Sequence, residues 1–395
     1  METQQNGWQP ISWPAKFNHV PKEVFVRQDV YDEEIKRIFY GPTWHVIGHA
    51  GEIPNKGDFK TFVMADTPLI MSRDEDGEIH VFYNSCTHRG NQLETASCGN
   101  RLEFECPYHR WLFDSKGELI GCPSKDEEYE PGFSRSQYPL QKPRLALFHG
   151  LVFVSFNPDT VDLEEYLGEA GPRLANMLGD GRIRLLGYQK VVYKTNWKAF
   201  NDNDAYHAPL LHTAFRMLNW QGGKGSPFAT PRFGHWGLTA ELAIPKTRNL
   251  KDPTIIEFKG GDYTQGSRLI NIFPTFTATL HIDTINLRFA TPRGVDKTEV
   301  HYAYFYHEDD TEEMKKHRLR QSSNLLGPSG MISAEDASVF HRVHIGSKTP
   351  GMAVFQKGVK DLHGLTFDFN QNDETFNLPR WEYYRELMGY EREAK

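Results

Sequence analysis

Hydrophobic positions in the first half of the chain come in short runs with a two-residue period. Segment 44–65 carries WHVIGHA and FKTFVM on either side of a Pro-Asn-Lys-Gly-Asp turn. PLIMSRDEDGEIHVFYNSC follows, with Asp74 to Gly77 as a turn between two strands. WLFDSKGELIG repeats the strand–turn–strand pattern, and Leu145 to Phe156 reads as two β segments parted by His149 and Gly150. Before this region the chain is irregular to about residue 31, and Asp32 to Phe39 predicts a short helix. Residues 40–156 are therefore expected to form a small all-β domain behind a 1–39 extension.

The period changes at Asp162. DLEEYLGEAGPRLANML has helical spacing with an interruption expected near Gly171-Pro172. RLLGYQKVVYKTNWKAF returns to strand-like alternation, and Ser226 to Arg232, with two prolines, reads as loop. From 235 to 308, HWGLTAELAI, SRLINIFPTFTATLHIDTINLRFATP and TEVHYAYFYHE predict strands rich in Thr, Ile, Phe and Tyr. Asp309 to Leu326 predicts helix, with Glu312 and Lys316 spaced for a surface pair. A second domain over 157–395 with a substantial antiparallel sheet and several helices makes the expected fold class α+β.

Composition adds limits. At 395 residues the chain has room for two cores. A formal charge of -7 argues against general nucleic-acid binding, which needs a basic surface. METQQNGWQP lacks a basic-then-apolar leader, and no run approaches a membrane span, so a soluble cytoplasmic protein is expected. Four cysteines are too few for a disulfide scaffold.

Two of those cysteines carry chemistry. Cys86-Thr-His88 and Cys106-Pro-Tyr-His109 are mixed Cys/His pairs within one short window. Zinc and iron–sulfur both suit the donors. The mixed order favours a two-iron cluster in which thiolates hold one iron and imidazoles the other. Cys98 and Cys122 are expected to be ordinary residues. A second constellation lies at Asn201 to His212, where Asp204, His207 and His212 are spaced three and five apart. Two imidazoles with one carboxylate make the facial triad of non-haem iron oxygenases. On an ideal helix His212 lies about 140° from His207, so the helix must distort, and Pro209 offers a local reason. Spacing alone does not choose the carboxylate.

Cys86-Thr-His88-Arg89-Gly90 and Cys106-Pro-Tyr-His109-Arg110-Trp111 resemble the two loops of a Rieske [2Fe–2S] domain. With Asp204-x-x-His207-x-x-x-x-His212 and Leu326 to Asp336, they resemble the large (alpha) subunit of an aromatic-ring-hydroxylating oxygenase, nearest the salicylate, anthranilate and terephthalate group. The resemblance implies a Rieske domain followed by a helix-grip (START-like) catalytic domain. It implies a [2Fe–2S] cluster on Cys86, His88, Cys106 and His109, and a mononuclear Fe(II) on His207, His212 and Asp336, with Glu335 as the runner-up carboxylate. His341 and His344 stand where the family often has Glu and Gln. Asp204 is implied to join His109 of a neighbouring subunit to His207, which requires a ring of three, as α3β3 with a smaller beta subunit or as α3. The implied reaction uses O₂ and electrons from NAD(P)H through a flavin reductase, with or without a ferredoxin, and gives a ring cis-dihydrodiol. Alternatives are a ring monohydroxylase, a Rieske-type electron carrier without catalysis, and a zinc-bound structural protein. Pocket candidates are Leu210, Phe215, Arg216, Phe273 and Arg288, with Leu218, Phe228, Ile270 and Phe289. A carboxylated ring would want an arginine partner, for which Arg216, Arg288 and Arg293 are candidates.

Overall fold

In the computed structural model, residues 8–124, 128–202, 207–260 and 266–394 are described. The period-two segments of the first half fold as short antiparallel sheets. One has four strands in the order Ile79–Tyr83, Thr67–Arg73, Asp58–Met64, Cys98–Asn100. A second joins Glu103–Glu105, Leu112–Asp114 and Leu119–Gly121, and a third joins Arg144–Phe148, Leu151–Ser155 and His45–His49. The helix expected at Asp32 begins earlier, as α1 (Gln28–Glu34), and continues as a π turn through Phe39.

The second half is built on one seven-stranded antiparallel sheet. Its strands are β1 (Ile183–Tyr193), β2 (Gln221–Ala229), β3 (Trp236–Leu242), β4 (Ser267–Ile272), β5 (Phe276–His281), β6 (Thr284–Gly294) and β7 (Lys297–His307), ordered β1-β7-β6-β5-β4-β3-β2. The loop expected over Ser226–Arg232 is largely strand β2. It lies at the sheet edge, where Pro227 leaves no ladder hydrogen bond unmade. The helix expected at 162–178 is interrupted, forming α2 (Leu163–Leu167) and α3 (Ala170–Leu178), but not at Gly171-Pro172. The break falls at Gly168, whose φ of 46° ends α2, and Pro172 sits harmlessly in the first turn of α3. Strand-like alternation after 183 ends at Tyr193. Asn196 caps α4 (Trp197–Asn201) by accepting from the Lys198 amide. In α7 (Glu312–Gln321), Glu312 pairs with Lys315 at 2.7 Å rather than with Lys316.

Contacts of several kinds bind the halves. The Ala65 amide donates to Thr291 Oγ1 at 2.8 Å, and Arg293 donates to Ala65 O at 2.9 Å. Buried Lys60 bonds Glu52 at 2.6 Å and lies 4.9 Å from the Phe289 ring, while Tyr188 also donates to Glu52. The largest hydrophobic core runs through both halves, and a separate small core surrounds Cys86 and Cys106. Among the described residues no helix is long and apolar enough to cross a membrane.

Two buried histidines set a pH limit on this framework. His49 accepts the Gly51 amide on Nδ1, and His235 accepts the Phe273 amide on Nδ1 while Nε2 faces Tyr166 O. Burial lowers His49 to about 4 and His235 to about 3. The unfolded chain takes up these protons near pH 6.5 and the folded chain does not. Stability is therefore expected to fall as pH drops below 6.5, by about 1.4 kcal/mol per pH unit for each ring. Urea unfolding at pH 7.5, 6 and 5 measures the slope. His235→Gln, whose amide does not titrate, should flatten it, and an unchanged slope would remove His235 from the account.

Candidate metal centres and cavity

The two Cys/His loops are built alike. In the first, the Cys86 amide donates to Asn91 O and the Gly90 amide to Cys86 O; in the second, the Cys106 amide donates to Trp111 O and the Arg110 amide to Cys106 O. Each loop is thus closed by bonds over the same spacing. Each also takes a left-handed residue four places after its cysteine, Gly90 at φ 72° and Arg110 at φ 58°. The cysteines are buried among Phe82, Phe104 and Phe113. Burial, then contact with the Cys106 thiol, pushes Cys86 up to about 11, against hydrogen bonds from the His88 and Arg89 amides. His88 is exposed and His109 half-buried, their rings 4.7 Å apart, and Trp111 stacks on His88. Two enclosed thiols in contact, with amide donors aimed at one sulfur, fit a cationic iron pair. The imidazole side opens to the surface.

The second constellation converges through a break in the chain. His207 precedes α5 (Ala208–Leu211), and α6 (Thr213–Leu218) follows at once. His212 between them is extended, with φ -72° and ψ 110°. That break, not Pro209, turns the imidazoles together; Pro209 occupies the start of α5, where a proline fits. Asp336 comes from the first turn of α8 (Ser333–Gly346). The tight turn before α8 needs Gly330, since a Cβ there would lie 2.5 Å from Leu325 backbone.

His207 Nε2 and His212 Nε2 are 3.1 Å apart, and Asp336 Oδ1 lies 3.4 and 3.5 Å from them. A triangle with these edges has corners about 1.9 Å from its centre, so the three donors would hold one first-row ion at bond lengths of about 2.1 Å. Burial lowers His212, keeping it in the neutral form that binds metal. Glu335 faces the other nitrogen: its Oε2 is 3.4 Å from His212 Nδ1 and accepts the Thr213 amide at 2.8 Å. It sits where a carboxylate orients a liganding imidazole. Asp204 lies outside the described residues. Asp202 accepts from Trp381 Nε1 at 2.8 Å, and His341 Nδ1 bonds Lys194 O.

A cavity of about 150 Å³ opens beside the three donor atoms, between the inner sheet face and α5, α6 and α8. That is the scale at which an apolar cavity admits benzene. Of the expected lining residues, Phe215 and Arg288 are present. Leu210 is largely exposed, Phe273 and Phe228 belong to the main core, and Arg216 is tied to Thr213 on α6. Leu218, Ile270 and Phe289 are likewise buried in cores. Arg293 is taken by Glu299 and Ala65. Arg288 is 9% exposed, lies 5.1 Å over the Tyr302 ring, and has no carboxylate within ion-pair distance among the described residues. Thr277, Thr279, His281 and Tyr302 line the same wall. The alternation in Phe-Thr-Ala-Thr-Leu-His already marks one polar strand face, though not that the face looks inward.

Residues 43–142 match the Rieske [2Fe-2S] domain family, and residues 181–364 match the catalytic domain of the ring-hydroxylating alpha subunits. The chain is 32% identical to the anthranilate 1,2-dioxygenase large subunit of Burkholderia cepacia over 94% of each chain. It is 31% identical to the terephthalate 1,2-dioxygenase terminal oxygenase component subunit alpha 2 of Comamonas sp., covering 97% of this chain and 99% of the relative. The salicylate 5-hydroxylase large oxygenase component of Ralstonia sp. is 30% identical over 96% and 97%. Among solved structures, naphthalene 1,2-dioxygenase from Rhodococcus sp. bound to indole superposes with a TM-score of 0.81 at 25% identity, over 94% of each chain.

Proposed function

The chain belongs to the aromatic-ring-hydroxylating oxygenase alpha subunits, Rieske non-haem iron enzymes, and on that premise we propose that it hydroxylates a single-ring aromatic carboxylate held by Arg288. The family's Rieske domain carries a [2Fe–2S] cluster and its catalytic domain a mononuclear iron. We assign Cys86, His88, Cys106 and His109 to the cluster, and His207, His212 and Asp336 to the iron. The bound iron supplies O₂ activation. The chain's own residues enclose the ring, fix its carboxylate and direct its edge toward the donor triangle.

The observation that carries this reading is the guanidinium of Arg288. A nearly buried cation with no carboxylate in ion-pair reach among the described residues, in a one-ring cavity beside the triangle, suits a planar anionic group. Relatives named for anthranilate, salicylate and terephthalate support the same class. In the proposed cycle, NAD(P)H gives two electrons through a flavin reductase, with or without a ferredoxin. O₂ and two protons complete a cis-dihydrodiol. A ring of three, as α3β3 or α3, lets Asp204 join His109 of one subunit to His207 of the next.

The test is Arg288→Met, assayed with a surrogate reductase on benzoate and on toluene. The Michaelis constant for benzoate should rise about 10- to 100-fold, the worth of a charged hydrogen-bonded contact, while toluene is unaffected. Equal effects on both, or none, would remove Arg288 as anchor. Product analysis separates a cis-dihydrodiol from the phenol of the salicylate 5-hydroxylase type.

A further inference from the structure

The inner wall of the cavity carries more polar groups than one carboxylate uses. Strand register sets them in rows. Of the lining residues, Thr277, Arg288 and Tyr302 face one another across β5, β6 and β7, Thr279 lies in the next row and His281 in the one after; Asn286 and Tyr304 beside Thr279, and Thr284 beside His281, complete those rows outside the lining. Opposed residues share a sheet face, so these side chains stand on one side. Thr279, His281 and Asn286 are 5%, 3% and 0% exposed. Among the described residues, Thr279 Oγ1, His281 Nε2 and both ends of the Asn286 amide have no hydrogen-bond partner. Unpaired polar atoms in a core cost stability, so such a face is retained where something else pairs it. His281 is held in place by ring contacts with Trp220 at 5.1 Å and Phe215 at 6.0 Å.

This polar face goes beyond the carboxylate anchor and builds on it. Thr279 lies two residues along β5 from Thr277, a step of about 7 Å. A ring whose carboxylate meets Arg288 then presents its far edge to the Thr279–His281 row. We propose that Thr279 and His281 form a second recognition element, which selects rings bearing a hydroxyl or amino group on the edge away from the carboxylate. A second carboxylate is not the expected group. Apart from Arg288 the described residues of the cavity lining include no arginine or lysine, and Glu241 adds negative charge.

Calorimetric binding to the iron-loaded oxygenase tests this. The probes are benzoate, para-hydroxybenzoate, para-aminobenzoate and terephthalate, with phenol and toluene as a pair lacking the carboxylate. The wild type should bind the hydroxy and amino acids at least about 10-fold more tightly than benzoate or terephthalate. Thr279→Val and His281→Phe should erase that preference, bringing the hydroxy and amino acids to the affinity each variant shows for benzoate. His281→Gln, which keeps a hydrogen-bonding group, should restore part of it. Equal binding of benzoate and para-hydroxybenzoate by the wild type overturns the proposal, as does a preference that survives in both apolar variants. Should the Arg288 anchor fail, the preference of phenol over toluene and its loss in the two variants still decide this proposal.

Discussion

Asp336→Ala is expected to abolish ring hydroxylation while the [2Fe–2S] absorption remains intact. In the proposed assignment Asp336 supplies the one carboxylate of the triad, its Oδ1 lying 3.4 and 3.5 Å from the two Nε2 atoms. Alanine leaves two imidazoles 3.1 Å apart, which cannot hold a ferrous ion against exchange with solvent. Metal analysis should show the cluster iron retained and the mononuclear iron lost, and turnover with a surrogate reductase should fall to background. Glu335→Ala separates the two neighbouring carboxylates. Glu335 touches the far nitrogen of His212 and the Thr213 amide, so its loss should weaken iron binding or turnover about 10- to 100-fold without abolishing either. The assignment fails if Glu335→Ala is the dead variant and Asp336→Ala keeps its iron. The unchanged cluster spectrum is the control that the chain still folds.

Much of this arrangement was legible in the residues, and what was not has definite physical causes. The proposed donors of both centres stand out in the sequence because Cys/His pairs and clustered imidazoles are rare in ordinary cores. The expected α+β fold, with a large antiparallel sheet, is the fold observed. The backbone break at His212 escaped because the sequence offers a proline as the obvious culprit, and proline at the start of a helix disturbs nothing. Helical NWKAF was hidden inside a strand-like pattern, since Asn196 as a cap outweighs alternation that continues past Tyr193. Phe273, Phe228 and Phe289 were expected in the cavity on hydrophobicity alone. For Phe228 and Phe289 strand faces decide otherwise, since a one-residue change of phase sends a ring to the opposite side of the sheet, while Phe273 follows the end of β4 at Ile272 and packs into the main core. For the same reason only the register tells Arg288 from Arg293 on the same strand.

Lys198→Met should be the most destabilising single substitution outside the metal centres, because it strands a buried carboxylate. Glu34 on α1 is 0% exposed and Lys198 on α4 is 2% exposed, with Nζ and Oε1 2.5 Å apart. Tyr384 on the C-terminal helix α9 (Leu378–Met388) donates to the same oxygen at 2.5 Å, and Trp197 Nε1 donates to the other at 2.8 Å. Four residues thus fasten the N-terminal helix and the C-terminal helix to α4. Asn201 at the end of α4 lines the cavity, so this fastening fixes the wall from which the chain runs on toward His207. Removing one partner of a buried ion pair costs about 3–5 kcal/mol, since the remaining charge has no water to turn to. Replacing both partners removes that charge, so Lys198→Met combined with Glu34→Gln should recover more than half of the loss. Denaturant midpoints of the three proteins, compared at equal slope, measure this. A single variant within about 1 kcal/mol of the wild type would mean that Tyr384 and Trp197 suffice to hold Glu34, and that the lysine contributes only packing.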